Sequence, residues 1–143
     1  MGVVLIEAEV LPDIIEIATP GPQGPSGNIN PSYTTSTSLS GHQVISLNSS
    51  GLAEYASCDN INYMSKIVGI STGAATSGSS ITIQSGDVMD YNGWSWTPNQ
   101  IIFLGLNGSL VSSVPVSAVF TQVMGIALSS TSILVGIQQP IVI

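Results

Sequence analysis

The sequence predicts an all-β protein, a small β-barrel or sandwich built from two pseudo-repeats, and three observations support that prediction. From His42 onward, short apolar runs alternate with Gly, Ser and Asn clusters at the ~8–12-residue spacing of such folds. Helix signals are confined to one turn near residues 59–65, where Asp59 or Asn60 can cap it. The apolar runs also recur in the same order in two parts of the chain, about 42–84 and 99–143.

Residues 1–19 are an extended, β-type arm. Val3, Leu5, Ile6, Val10, Ile14, Ile15 and Ile17 make it apolar, while Glu7, Glu9, Asp13 and Glu16 make it acidic. Ile6, Ala8 and Val10 fall on one face of a strand and Leu5, Glu7 and Glu9 on the other, until Pro12-Asp13 interrupts the run. An arm this short has no core of its own. It either adds a strand to a partner's sheet or wraps neighbouring copies of its own chain.

Residues 20–32 are a Pro/Gly linker. Gly21, Pro22, Gly24, Pro25 and Gly27 make two collagen-type triplets and the glycine of a third. Proline holds φ near −65°, and glycine at every third residue lets three polyproline II chains crowd around one axis. So few triplets form no stable triple helix alone. They serve as a stiff spacer of ~3.1 Å per residue, either in a bundle of three chains or as a plain Pro/Gly linker.

Residues 33–143 form the β domain. An irregular or extended approach up to Gly41 precedes strand candidates at Val44–Leu47, Leu52–Ala56, Ile67–Ile70, Ile81–Gln84, Ile101–Leu104, Val119–Leu128 and Ile133–Ile137. Gln43-Val44-Ile45-Ser46-Leu47 with Gly51 matches Gln100-Ile101-Ile102-Phe103-Leu104 with Gly108. Val68-Gly69-Ile70 and Ile81-Thr82-Ile83 match Met124-Gly125-Ile126 and Ile133-Leu134-Val135. The two glycines of each copy are 18 and 17 residues apart. This predicts two units packed face to face around one apolar core. Gly51 and Gly108 suit the positive φ of hairpin turns, and Gly69 and Gly125 mark a bulge or a close backbone approach. Trp94 and Trp96, two apart, face one side of a strand. With Phe103 and Phe120 they are the core or interface aromatics, and a sugar-stacking platform at the tryptophans is the functional alternative.

Charge is scarce. Charged residues make up 6% of the chain, against ~25% in an average soluble protein, and none lies between Tyr91 and Ile143. Hydrophobic residues make up 43% and mean hydropathy is +0.45. Such a surface keeps a monomer poorly soluble, so much of it is expected to be covered by copies of the same chain. With net charge −7, Lys66 as the only basic side chain and no arginine, a nucleic-acid partner is excluded and an anionic membrane surface disfavoured. The first ten residues lack the basic flank of a secretory signal, and no apolar run reaches the ~20 residues of a membrane helix, so a soluble protein is expected. Cys58 is the only cysteine and reads as a small buried thiol.

Catalytic patterns fail on their context, so no enzyme and no cofactor is expected. Gly69-Ile70-Ser71-Thr72-Gly73 matches a nucleophile elbow, but that motif needs a following helix and a histidine after the serine. The one histidine, His42, precedes it. Asp87, Asp90 and Asn92 lack the spacing of a calcium loop and read as a solvated turn. A zinc site needs more than one histidine and one cysteine.

Six segments together carry a family resemblance: Ser40-Gly41-His42-Gln43-Val44, Gly51-Leu52-Ala53-Glu54-Tyr55-Ala56-Ser57, Val68-Gly69-Ile70-Ser71, Trp94-Ser95-Trp96-Thr97-Pro98, Phe103-Leu104-Gly105-Leu106-Asn107-Gly108-Ser109-Leu110 and Gly125-Ile126-Ala127-Leu128. They resemble a domain of tailed-bacteriophage virion proteins, particularly head-decoration (cement) and head-fibre proteins, over roughly the last hundred residues. Ile17-Ala18-Thr19-Pro20-Gly21-Pro22 resembles the junction between anchoring arm and outer domain in such proteins. Where the family often has Thr-Pro after the second glycine turn, this chain has Ser112-Ser113-Val114-Pro115. The resemblance implies a homotrimer on the outer capsid surface of a virion, made in the host cytoplasm, whose arm binds the major capsid protein and whose knob projects outward. A tail or collar fibre, or a carbohydrate-binding adhesin using Trp94, Trp96 and Asn92, are the alternatives.

Overall fold

The computed structural model describes residues 30–143. The arm, and Gly21, Pro22, Gly24, Pro25 and Gly27 of the linker, lie outside the described residues. In chain order the strands are β1 (Ser32–Thr34), β2 (Val44–Leu47), β3 (Ala53–Tyr55), β4 (Ile67–Ser71), β5 (Ser80–Gln84) and β6 (Val88–Asp90). They continue with β7 (Ile101–Leu104), β8 (Leu110–Val111), β9 (Phe120–Thr121), β10 (Val123–Ala127), β11 (Ser132–Val135) and β12 (Ile141–Val142). The one helical turn among the described residues is a 3-10 turn at Ile61–Tyr63. Asn60 caps it by accepting the Asn62 amide at 3.0 Å.

The strands form three antiparallel sheets, ordered β1-β5-β4-β2-β3, β6-β11-β10-β7-β8 and β12-β9. Of the two architectures expected, a closed barrel is not formed among the described residues. The edges of the first sheet do approach each other, but they meet only at an isolated bridge between Thr35 and Ala53. Short edge strands with a single bridge supply too few backbone pairs to continue the ladder. Four strands were not expected. β1 begins inside the segment assigned to the linker, β6 holds only three residues, and β8 and β12 hold two each. The single run expected at 119–128 is two strands in different sheets, because the chain leaves the two-stranded sheet at Gln122 to join the larger one.

The two five-stranded sheets have one strand order when β1, β2, β3, β4 and β5 are set against β6, β7, β8, β10 and β11. Gly51 and Gly108 sit at φ of 77° and 82°, each two residues before the second strand of its hairpin. Ile45 pairs with Gly69 and Ser46 with Ile67, leaving Val68 as the extra residue of a bulge. In the other sheet, Ile102 pairs with Gly125 and Phe103 with Val123, leaving Met124 extra. The β5 register differs from the one expected. Ser71 pairs with Ile83 as Ala127 pairs with Ile133, so Ile83 and not Ile81 stands where Ile133 stands. The slip of two keeps the face, because side chains alternate with period two.

The core is not single, and the sheets do not stack face to face. Ile45, Ala53, Ile81, Ile83 and Leu39 form a small cluster on the inner side of the first sheet, covered by Tyr33, Tyr55 and Ala75. The larger cluster joins Val44, Ala56 and Ile70, from the outer side of the first sheet, to Ile102, Leu104, Met124, Ile133 and Val135 of the second. Ile45 and Ile102 occupy matching positions yet lie in different clusters. The back of one sheet therefore covers the front of the other. The loop after β7 locks this stacking: the Val44 amide donates to the Gly108 carbonyl at 2.7 Å, and the Cys58 amide to Gly105 at 3.0 Å.

Candidate interaction surfaces

Three surfaces are built where the strands leave groups that the two clusters do not absorb. The first is the outer face of the second sheet. Strand alternation turns Ile102, Met124 and Ile133 inward, and so turns Ile101, Val123, Ile126 and Leu134 outward. Ile101 is 49% exposed and Leu134 43%, with Val88 of β6 beside them in the ladder. Between them lies a shallow hollow of about 460 Å³, where Gly125 and Gly136 contribute no side chain. Phe103, on the same face, is half-buried.

The second surface is the C-terminal strand. Ile141, Val142 and Ile143 are exposed, although β12 pairs with β9 and the Ile143 amide donates to Val119 at 3.2 Å. Ile61 and Val119 continue the patch. Phe120, in β9, is fully buried in the larger cluster.

The third is aromatic. Trp94 and Trp96 are not in a strand, but both are half-buried against the larger cluster, their centroids 6.0 Å apart. The Trp96 amide donates to the Ser130 carbonyl at 2.9 Å, which anchors the segment to the β10–β11 turn. Its indole Nε1 is buried with no hydrogen-bond partner among the described residues. His42, in the bend two residues before β2, stacks on Tyr91 at 3.9 Å with the planes 12° apart, and Trp94 meets both edge-on. Burial lowers the His42 pKa from its ordinary value. Tyr91 is the outermost ring, 43% exposed.

No family model matches the chain, and no curated protein matches it.

The polar residues singled out in the sequence serve the backbone. The Ser71 hydroxyl is buried, donates to the Ser40 carbonyl at 2.7 Å and accepts the Gln43 amide at 3.1 Å. Asp87 holds a positive φ of 66° and its carboxylate accepts the Val88 amide at 2.8 Å, while Asp90 is exposed. Among the described residues, no three His, Cys, Asp or Glu side chains converge as a metal site would require. Cys58 is fully buried, and burial first, then the charge of Asp59, push its thiol up.

Sequence reasoning missed Ile101, Leu134, the C-terminal strand and the His42–Tyr91 stack. A signal for the first two was present. Ile101-Ile102-Phe103-Leu104 and Ile133-Leu134-Val135 are unbroken apolar runs, the pattern of strands covered on both faces.

Proposed function

We propose that this chain is a bacteriophage virion structural protein, a capsid decoration or head-fibre protein that binds the major capsid protein lattice as a homotrimer and stabilises the head. The arm of residues 1–19 docks on the capsid, the Pro/Gly linker gathers and spaces three chains, and the β domain is the outward knob. The observation that carries this reading is the outward apolar face of the second sheet on a domain with no charged residue after Asp90. Such a surface is suited to contact with other protein surfaces in an assembly. The shared strand order, bulge and glycine turn of the two sheets support an origin by internal duplication.

Deleting residues 1–19 tests the division of labour. The truncated protein is expected to stay folded and trimeric by sedimentation equilibrium, and to be lost from virions. Full decoration by the truncated protein would place the anchor elsewhere. Immunogold labelling of the particle separates the head position from a tail or collar fibre. An adhesin is the second reading, favoured by the exposed ring of Tyr91 beside Trp94. A glycan array giving specific binding that Tyr91→Ala abolishes would select it.

A further inference from the structure

We propose that Asn92 is the site at which this chain deamidates, and that the isoaspartate product opens the stack of His42 on Tyr91. The chemistry is spontaneous and consumes only water. The Gly93 amide nitrogen gives its proton to hydroxide and attacks the side-chain carbonyl carbon of Asn92. A C–N bond forms, the Cγ–Nδ2 bond breaks, and ammonia leaves with a proton returned by water. A second water opens the resulting five-membered imide at either of its carbonyls. One opening gives aspartate. The other gives isoaspartate, whose main chain runs through the side-chain carbons and is one methylene longer. Either product adds one negative charge to a chain already at −7.

The sequence holds two Asn-Gly pairs, Asn92-Gly93 and Asn107-Gly108, in which no side chain hinders the attacking nitrogen. The fold separates them. The Asn107 amide donates to the Ser57 hydroxyl at 3.1 Å, the Gly108 amide donates to the Ala56 carbonyl, and the Gly108 carbonyl accepts the Val44 amide at 2.7 Å. Gly108 is buried, and φ of 50° and 82° hold both residues in the left-handed region. A nitrogen committed to a buried hydrogen bond swings over the asparagine side chain only by losing that bond. Asn92 and Gly93 are instead the exposed central residues of a turn closed by the Trp94 amide on the Tyr91 carbonyl at 3.2 Å. Among the described residues, the Gly93 amide makes no backbone hydrogen bond. Packing requires the glycine here. A Cβ at Gly93 would lie 2.6 Å from Cε2 of Tyr91, so the ring that stacks on His42 also rests on the Gly93 main chain. The residue that seats this ring is the one that leaves Asn92 open to attack. One extra methylene between Tyr91 and Trp94 breaks the turn that sets both rings around His42, at 3.9 and 5.6 Å.

The test ages the full chain at mildly alkaline pH, folded and in urea, and maps its peptides by mass spectrometry. In the folded protein Asn92 is expected to convert on the order of 10-fold or more faster than Asn107, the factor set by one buried hydrogen bond lost. In urea the two are expected to convert at similar rates, because only the fold distinguishes them. Equal rates in the folded protein, or an Asn92 that converts in urea and stays intact in the fold, overturn the site. The consequence is read by nuclear magnetic resonance. The face of Tyr91 shields the ring protons of His42, and the chain has one histidine to assign. Ageing is expected to move those resonances toward their unstacked positions in the wild type. It is expected to leave them in place in Asn92→Gln, whose longer side chain closes an imide far more slowly. Asn92→Asp carries the new charge without the longer main chain and is expected to keep the shielding. Shielding that persists in the purified isoaspartate form overturns the link to the stack.

Discussion

Gly69 and Gly125 hold the registers of the two sheets. A Cβ at Gly69 would lie 2.5 Å from the Gln84 carbonyl oxygen, and one at Gly125 would strike that of Leu134. Gly69 also sits at φ 151°, where a side chain is strained. Gly69→Ala and Gly125→Ala are each expected to lower stability by ~2 kcal/mol or more, both through overpacking and Gly69→Ala through backbone strain as well. Gly86→Ala, with open space at its Cβ, is expected within ~0.5 kcal/mol of wild type. Equal urea midpoints for all three would show that the strands separate at no cost. The lone His42 offers a second measurement at this scale. Burial lowers its folded-state pKa, so as pH falls the unfolded chain binds the proton first. Its contribution is full above the unfolded value of 6.5 and is lost as pH falls from there toward the folded value. One imidazole resonance should titrate below 6.5, and the melting temperature should drop from pH 7 to pH 5. A midpoint at or above 6.5 would contradict the partial burial of His42 in its stack on Tyr91.

The segment from Asp90 to Pro98 carries more packing than its lack of regular structure suggests. It links β6 to β7 and lays two indoles against the larger cluster. Truncating Trp96 to alanine removes a large contact from a half-buried site. We expect a loss of at least ~2 kcal/mol, below the ~3–5 kcal/mol of a fully buried aromatic. Trp96→Phe behaves differently. It loses area but also removes the buried, unpartnered Nε1, whose burial costs ~1–3 kcal/mol. The two terms oppose, so Phe is expected within ~1 kcal/mol of wild type. Melting curves of both variants check this; equal losses would mean that the indole N–H is hydrated in solution. Neither variant is expected to respond to added sugar.

For the whole molecule, the lack of charged residues in β7, β10 and β11 has a direct consequence for the proposed homo-oligomer. Screening weakens contacts between exposed charges and leaves apolar contacts intact or stronger. The sedimentation mass is therefore expected to be unchanged from low salt to molar sodium chloride. Dissociation on adding salt would mean that ionic contacts hold the copies together.

Much of the fold is legible in the sequence. The apolar runs and their glycine punctuation mark most of the strands, because alternation and turn chemistry are local properties of Val44–Leu47 or Gly108. The roles of Gly51, Gly69, Gly108 and Gly125 follow from the same locality, as does the burial of Cys58. Two of the three two-residue strands, β8 and β12, were not legible, since two residues carry no period and exist only because a neighbour pairs with them. The stacking of the sheets was likewise a tertiary decision. Ile45 and Ile102 look alike in sequence, yet one lies inside a sheet whose edges meet at Thr35 and Ala53, and the other against the first sheet's back. Local pattern tells which side chains leave water. Only the three-dimensional packing decides which surface covers them, and that choice leaves Ile101 and Leu134 exposed.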